Sequence, residues 1–184
     1  MNTQVAWMPR GEDAAPVSSY LSAEQALQAF RNGMRALAGA VTLVTTRLGD
    51  ERFGLTATAV CSMSANPPRI LACVNVQGRS YRAIAESRCM AINVLGTRHQ
   101  GLAQRFASAE ADPFGAGEWT RAATGAPLLA DALVAFDCEV AEMFVTRTHA
   151  VVIGEIRHIA CRDERDALLY MDGRFVSVAP LPAH

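Results

Sequence analysis

Many short runs of strand-forming residues, interrupted by few helical segments, restrict the fold of this chain more than any other sequence feature. The runs are rich in Val, Ile, Leu and Thr, which are common in strands, and turn-forming residues separate them. The helical segments do not alternate strictly with the strands, as they would in a doubly wound parallel sheet, so we predict an antiparallel barrel. The predicted strands cover residues 40–46, 53–60, 69–76, 90–95, 133–146, 150–159 and 168–170.

The first predicted helix has both a start signal and a periodic apolar face. Ser22 and Gln25 are spaced as in a capping box, and apolar residues then recur every three or four positions up to Leu37. Gly39 stands where a C-terminal glycine is expected. Two further helices are predicted over residues 80–86 and 98–107.

Length and composition indicate one domain. The 184 residues, 51% of them hydrophobic, can form one sizeable core but not two. We expect residues 1–20 to form a loosely ordered tail and residues 21–184 to form the domain. Asp172-Gly173 between apolar residues predicts a hairpin turn, and the Gly- and Pro-containing segment 113–127 predicts a loop.

The charge balance argues against nucleic acid or an anionic membrane as a partner. The formal net charge is -1 and the sequence pI is near 6.4, so no strong positive field is available. No apolar run approaches the ~20 residues of a membrane-spanning helix, and the N-terminal region lacks the apolar core of a secretory signal. We expect a cytoplasmic protein.

All 17 basic residues are arginine, which excludes several kinds of chemistry. Walker-type phosphate loops, pyridoxal phosphate Schiff bases and lysine general bases all require lysine. Arginine can still bind phosphate or carboxylate through its planar guanidinium.

The cysteine pattern predicts neither a disulfide framework nor a metal centre. The number is odd, no two cysteines form a Cys-x-x-Cys pair, and the histidines are not spaced to complete a zinc site with them. We expect reduced, mostly buried thiols. The cysteines are Cys61, Cys73, Cys89, Cys138 and Cys161.

Residues 54–68 combine small hydroxylated and alanyl side chains with a terminal Pro67-Pro68 pair. We predict a strand over the first part and a loop over the rest, with the prolines stiffening the return. Such side chains leave space beside the backbone, so a flat ligand with polar edges can approach it closely. The simpler interpretation is a serine-rich turn between two strands.

Residues 73–80 end one predicted strand and open the next helix. A helix start offers free N–H groups and the positive end of the helix dipole. Ser80 together with Arg79 or Arg82 therefore forms a reasonable phosphate site. Alternatively, Ser80 simply caps the helix.

These segments resemble the short-chain flavin reductases, flavin-binding split barrels that supply reduced flavin to two-component monooxygenases. The first segment departs from the family pattern at Ala59, Val60 and Asn66. Further matching segments occur in the family's order, so that the resemblance extends from about residue 26 to 178. The family positions kept in the first segment are Gly54, Thr56, Ala57, Thr58, Ser62, Ser64, Pro67 and Pro68. The later matching segments are 91–95, 102–107, 127–129, 135–140, 148–156 and 168–175.

The resemblance implies a mainly β fold with flanking helices, the antiparallel Greek-key FMN-binding split β-barrel, in a homodimer with flavin at the interface. It further implies NAD(P)H-dependent reduction of FMN or FAD, with reduced flavin released to a monooxygenase. His149 would orient the nicotinamide, although Arg147-Thr148 replace the family's Gly-Asp before it. The implied cofactor-binding residues are Thr56, Ala57, Thr58, Ala59, Ser62, Ser64, Cys73, Asn75, Ser80, Arg82, Tyr170, Arg174 and Phe175.

Two other functions are consistent with the same fold. Related members reduce the cobalt of a corrin intermediate in cobalamin synthesis, and other split barrels bind flavin or haem without turnover. The residues leave open the choices between NADH and NADPH, between FMN and FAD, and between flavin as substrate and flavin as prosthetic group. Tyr170, Arg174 and Phe175 either border the ligand pocket or close the barrel.

Overall fold

The computed structural model describes residues 22–108 and 112–179, so the predicted tail over residues 1–20 lies outside the described residues. The chain divides into two compact units, Met1–Leu37 and Ala38–His184. The helices in the described residues are α1 (Ala23–Arg35), α2 (Arg79–Ser87) and α3 (Gln100–Ala107), with short 3-10 turns at Thr97–His99 and Pro113–Gly115. The strands are β1 (Gly39–Ala40), β2 (Thr42–Leu48), β3 (Glu51–Ala57), β4 (Val60–Ala65), β5 (Pro68–Asn75), β6 (Cys89–Val94), β7 (Trp119–Arg121), β8 (Pro127–Leu129), β9 (Val134–Val145), β10 (His149–Cys161), β11 (Leu168–Met171) and β12 (Arg174–Ser177).

The start of α1 follows the sequence prediction and its end does not. The Ser22 hydroxyl accepts from the Gln25 N–H, and the Gln25 side chain accepts from the Ser22 N–H, so the capping box is confirmed. The helix ends at a C-cap at Ala36 in right-handed helical conformation, and Gly39 lies in β1. Assigning Gly39 as the C-terminal glycine was therefore wrong.

The second unit is built on an antiparallel sheet, as predicted. Within residues 22–108 and 112–179 this sheet has seven strands in the order β3-β2-β6-β9-β10-β5-β4. Its two edge strands, β3 and β4, follow each other in the chain and are joined by Thr58 and Ala59. Strands β1, β11 and β12 form a smaller sheet, with Asp172 and Gly173 at the predicted hairpin turn.

Three short strands lie where loops were predicted. The serines after Val60 belong to β4, and β7 and β8 pair within the segment predicted as a loop. Residues 61–65 of β4 are all exposed, so this edge strand lacks the alternation of apolar and polar residues by which a half-buried strand is recognised. Hydrogen bonds to β5 stabilise it instead.

The fully buried amide of Asn93 connects three strands in the interior. Its Nδ2 donates to the Leu43 carbonyl and to the Thr45 hydroxyl, both at 3.1 Å, and its Oδ1 accepts from the Leu129 N–H at 2.8 Å. Because Asn93 lies on β6, Leu43 and Thr45 on β2 and Leu129 on β8, one side chain holds β8 against the main sheet.

The cysteines are partly as expected. All five are free; Cys89 and Cys138 are buried, whereas Cys61 and Cys161 are exposed, so the prediction of buried thiols was wrong for the last two. Cys61 lies on the exposed edge strand β4 and Cys161 is the last residue of the exposed end of β10, so the core covers neither thiol. Burial, with a smaller contribution from the Asp137 carboxylate, raises the pKa of Cys138 to about 12.

The residues that the structure describes include no candidate membrane-spanning helix and no candidate metal site. No helix there has the length and apolar character needed to cross a membrane. No group of His, Cys, Asp and Glu there is arranged to hold a metal ion.

A charged network connects the 3-10 turn Thr97–His99, just before α3, with residues 164–166. Arg98 donates to the Glu164 carboxylate at 2.7 Å, and the Thr97 hydroxyl donates to the Asp166 carboxylate at 2.8 Å. The hydrogen bond from Arg98 lowers the pKa of Glu164, and the hydrogen bond from Thr97 lowers the pKa of Asp166.

This network predicts a loss of stability in acid. A carboxylate whose pKa is depressed by folding stabilises the fold above its ordinary pKa, 4.5 for Glu164 and 3.8 for Asp166, and the stabilisation is lost as the pH falls through the lower folded-state pKa. Arg98→Gln should therefore make the melting temperature less dependent on pH below about pH 4.5. Arg121→Gln, at an exposed arginine with no ion pair in the described residues, is the control. Equal pH dependence in both variants would contradict the prediction.

Candidate functional site

A cavity of about 380 Å³, called here the inner cavity, lies between the end of β3, helix α3 and the β11–β12 hairpin. Five predicted site residues line it: Thr56, Ala57 and Thr58 come from one segment, and Tyr170 and Phe175 come from another that lies more than a hundred positions later in the chain. The Tyr170 and Phe175 rings form an edge-to-face pair with centroids 5.4 Å apart. The lining residues are Val41, Thr56, Ala57, Thr58, Gln104, Ala107, Ser108, Tyr170 and Phe175.

The polar groups of the inner cavity differ in whether they already have partners. The Thr56 hydroxyl donates to the Ala103 carbonyl of α3 at 2.7 Å, and the Ser108 hydroxyl donates to the Arg105 carbonyl at 2.9 Å. The Gln104 side chain has no hydrogen-bond partner within residues 22–108 and 112–179. Sequence reasoning missed Gln104, because an amide on a helix has no spacing signal that separates it from any solvated residue.

Ala57 both lines the inner cavity and packs in the core. It is 8% exposed and belongs to a buried cluster with Ile70, Val74 and Ile92. Its methyl group is therefore surrounded mainly by protein, with the cavity along one side.

Replacing Ala57 with leucine should destabilise the fold. The added atoms have to displace core neighbours, and overpacking of this kind costs ~1–3 kcal/mol, with the cavity relieving part of it. We expect a loss of about 1–2 kcal/mol in urea unfolding without ligand. An unchanged unfolding free energy, with ligand binding abolished, would show that the position faces only the cavity.

A second recess, called here the α2 groove, has a volume of about 880 Å³ and lies where β3 meets the start of α2. Gly78 is the N-cap of α2 and supplies no side-chain cap, so the first-turn N–H groups have no side-chain acceptor. The Ser80 hydroxyl does not cap the helix, because it donates to the Gly54 carbonyl at 3.0 Å. The capping alternative for Ser80 was therefore wrong, and the donors facing the groove are backbone N–H groups and arginines.

Two arginines border the α2 groove, and neither is Arg82. Arg79 lies 5.3 Å from the Phe53 ring and pairs with Glu51. Arg52 lies 4.7 Å from the Phe114 ring. Arg82 is exposed and does not line the groove.

The remaining predicted residues lie outside both recesses. His149 is exposed, stands opposite Asn75 in the β5–β10 pair, and has its Nδ1 3.0 Å from the Thr148 hydroxyl. Cys73 is nearby on β5 and donates its N–H to the Ala59 carbonyl at 2.9 Å. Ser62, Ser64 and Arg174 are exposed; the Ser64 hydroxyl donates to the Pro67 carbonyl, and Arg174 pairs with Asp172 at 3.7 Å.

Comparison with known proteins agrees with this arrangement. The chain matches the family described as "Flavin reductase like domain" over residues 34–179, which is more than half of its length. The chain belongs to the flavin reductase-like family. Solved flavin reductases match its fold with TM-scores of 0.80 and 0.77, so the predicted mainly β flavin reductase split-barrel fold is confirmed.

Individual relatives cover most of this flavin reductase-like chain. "FMN reductase (NADH) RutF 2" of Methylorubrum extorquens (strain PA1) is 43% identical over 156 residues, 84% of this chain and 90% of the relative. BorF, the flavin reductase component of a bacterial two-component tryptophan halogenase, is 31% identical with a TM-score of 0.77, covering 84% of this chain and 99% of BorF. SgcE6, an NADH:FAD oxidoreductase of Streptomyces globisporus C-1027 solved with NAD and FAD fragments, is 27% identical with a TM-score of 0.79, covering 87% of this chain and 96% of SgcE6.

Proposed function

We propose that this chain is an NADH-dependent flavin reductase that reduces FMN or FAD and releases the reduced flavin. One observation carries the proposal. Thr56, Thr58, Tyr170 and Phe175 line the inner cavity at the end of β3, and the same strand borders the α2 groove, where the helix start has no side-chain cap. The 43% identical relative is named an FMN reductase that uses NADH, which supports NADH as the electron donor.

The residues fit the two chemical parts of FMN. The inner cavity is largely apolar, has an aromatic pair in its wall, and its ~380 Å³ lies within the usual range of small-ligand sites. The α2 start presents N–H groups without side-chain acceptors beside Arg79, which suits a phosphate. In this proposal the ring enters the inner cavity and the phosphate lies at α2.

When bound, the two cofactors supply the hydride transfer between nicotinamide and flavin. The chain's residues then have to hold the phosphate, keep the ring in a dry recess, and present backbone N–H groups to the ring edge that gains negative charge. No side-chain acid or base is required by these tasks. The serines of β4, Asn75 and Cys73 line neither recess, so in this proposal they can contact only a part of the flavin that extends beyond the inner cavity past the Thr58-Ala59 connection.

The proposal includes a homodimer and a monooxygenase partner. It also includes a location in the cytoplasm, where NADH is supplied. The second unit exposes large apolar side chains, with Phe144 at 55%, Val145 at 61% and Met63 at 49% exposure. Phe144 and Val145 are adjacent near the end of β9, and contiguous exposed apolar residues favour a protein interface. One relative is the reductase component of a two-component halogenase, which supports release of reduced flavin to a separate oxygenase.

NADH oxidation with added FMN tests the proposal directly. We expect steady turnover, and FMN should bind at least about tenfold more tightly than riboflavin because of its phosphate. Equal binding of the two flavins would remove the phosphate site at α2. Flavin binding without NADH oxidation would favour a split barrel that binds flavin without turnover. Turnover only with a cobalt corrin would favour a reductase of cobalamin synthesis.

The same assay tests His149. If His149 orients the nicotinamide, His149→Ala should raise the KM for NADH while the Kd for FMN stays unchanged. His158→Ala, at another exposed histidine of β10, is the matched control.

A further inference from the structure

We propose that Gln104 recognises the amide edge of the ring that enters the inner cavity, and so determines which ring binds there. The inference rests on the proposed function and adds a specificity residue that is not among the cofactor-binding residues implied by the family resemblance. It rests on one observation: the Gln104 side-chain amide, which has no hydrogen-bond partner in the described residues, lines the largely apolar inner cavity.

Few of the polar side chains that line the inner cavity are free to recognise a ring. Thr56 and Ser108 already donate their hydroxyl protons to carbonyls of α3. The unpartnered polar side chains in the lining, as far as the structure describes it, are Thr58, Gln104 and Tyr170. Of these, Gln104 carries both a two-proton donor and a carbonyl acceptor in one plane, whereas the other two offer single hydroxyl groups.

The position of Gln104 is held by its neighbours on α3. The preceding carbonyl, that of Ala103, accepts the Thr56 hydroxyl from the cavity wall at 2.7 Å. Ala103 is fully buried and Phe106 is 6% exposed, so both sides of this turn are anchored in the core. The backbone of Gln104 is thus fixed relative to β3, and only the side chain has to be ordered when a ligand binds.

A glutamine amide pairs best with a ligand edge that places a carbonyl beside an N–H group. The pyrimidine edge of flavin and the carboxamide of nicotinamide both have this arrangement. The proposal therefore names the shared amide chemistry, and the experiment separates the two sources.

The test compares Gln104→Met with Gln100→Met. Both replace an exposed glutamine of α3 by an unbranched apolar side chain, but Gln100 does not line the cavity. The Kd for FMN is measured by titration of the apoprotein, and the KM for NADH is measured at saturating FMN. We expect Gln104→Met to weaken one of the two ligands about tenfold, as for loss of a good hydrogen bond, and Gln100→Met to weaken neither.

Ligand analogues identify the source. If the Kd for FMN rises, N3-methyl flavin should bind wild type and Gln104→Met equally, which assigns the pyrimidine edge. If the KM for NADH rises, the 3-acetylpyridine analogue of NADH, which lacks the amide nitrogen, should likewise be used equally by both proteins.

A double-mutant cycle with Thr56→Val tests the positioning argument. Because the Thr56 hydroxyl holds the Gln104 turn, the effects of Thr56→Val and Gln104→Met on the affected ligand should be less than additive. Unchanged constants in Gln104→Met, or equal losses for both ligands accompanied by a lower melting temperature, would overturn the proposal. Wild-type turnover in the same assay shows that such a failure concerns Gln104 and not the proposed reductase activity.

Discussion

Replacing Asn93 with leucine is expected to lower the free energy of unfolding by about 2–4 kcal/mol. The Asn93 carbonyl accepts from the Leu129 N–H, and its amide donates to the Leu43 carbonyl and the Thr45 hydroxyl, all in the interior. Leucine has a similar volume but satisfies none of these groups, and each buried polar group left unpaired costs ~1–3 kcal/mol. In a chain of this length the melting temperature should fall by roughly 5–15 °C.

The control for this prediction is Asn32→Leu. Asn32 lies on α1, where it accepts one exposed hydrogen bond from Gln28 and no residue is buried. Substitutions at such surface positions usually change stability by less than about 0.5 kcal/mol. If both variants unfold at the same urea concentration, Asn93 does not have the role in holding β8 that its contacts indicate.

Replacing Gly54 with alanine should be the second strongly destabilising change, near the upper end of the ~1–3 kcal/mol typical of overpacking. A Cβ at this position would lie 2.5 Å and 2.8 Å from two carbons of the Phe106 ring and 3.2 Å from the Thr45 methyl group. Phe106 cannot easily move, because its ring packs against the rings of Phe114 and Trp119 with centroids 4.8 Å and 5.7 Å away.

Gly101→Ala provides a matched control on α3. A Cβ there meets nothing within 4 Å, and alanine is the better helix former by up to ~1 kcal/mol, so this variant should be slightly stabilised. The two variants differ from wild type by the same methyl group, and thermal unfolding should separate them in opposite directions. If Gly54→Ala were as stable as Gly101→Ala, the rings of Phe106, Phe114 and Trp119 would rearrange with little loss of unfolding free energy, contrary to the prediction.

The elements that the sequence predicted well are those whose pattern repeats along the chain. The long alternating runs became β9 and β10, and the capping box began α1. The missed strands β4, β7 and β8 are short, and β4 is almost wholly exposed, so burial imposes no pattern on it. Such strands form because a neighbouring strand offers hydrogen bonds, which is a property of the tertiary structure.

The candidate site was predictable where the residues resemble a known family and not beyond. Thr56 and Tyr170 were both named, yet nothing in their own spacing brings them to one cavity; the β1–β11 pairing does that. Ser80 was expected to bind a phosphate, but its hydroxyl donates to the Gly54 carbonyl instead. This acceptor is within reach only because α2 packs on β3. Gln104 was not predicted as a site residue, because only the folded structure places α3 in the wall of the inner cavity.

The two hydrogen bonds that β3 makes with the helices have a consequence for ligand size. Gly54 is bonded to Ser80 near the start of α2, and Thr56 is bonded to Ala103 beside the inner cavity. Two residues of an extended strand span about 6.6–6.8 Å, so strand geometry sets the separation between the anchor points of the two helices. Under the proposed function, the protein selects ligands by the length of the tether between ring and phosphate: a flavin with one carbon fewer or more in that tether should bind less tightly than FMN, even though both of its ends are unchanged.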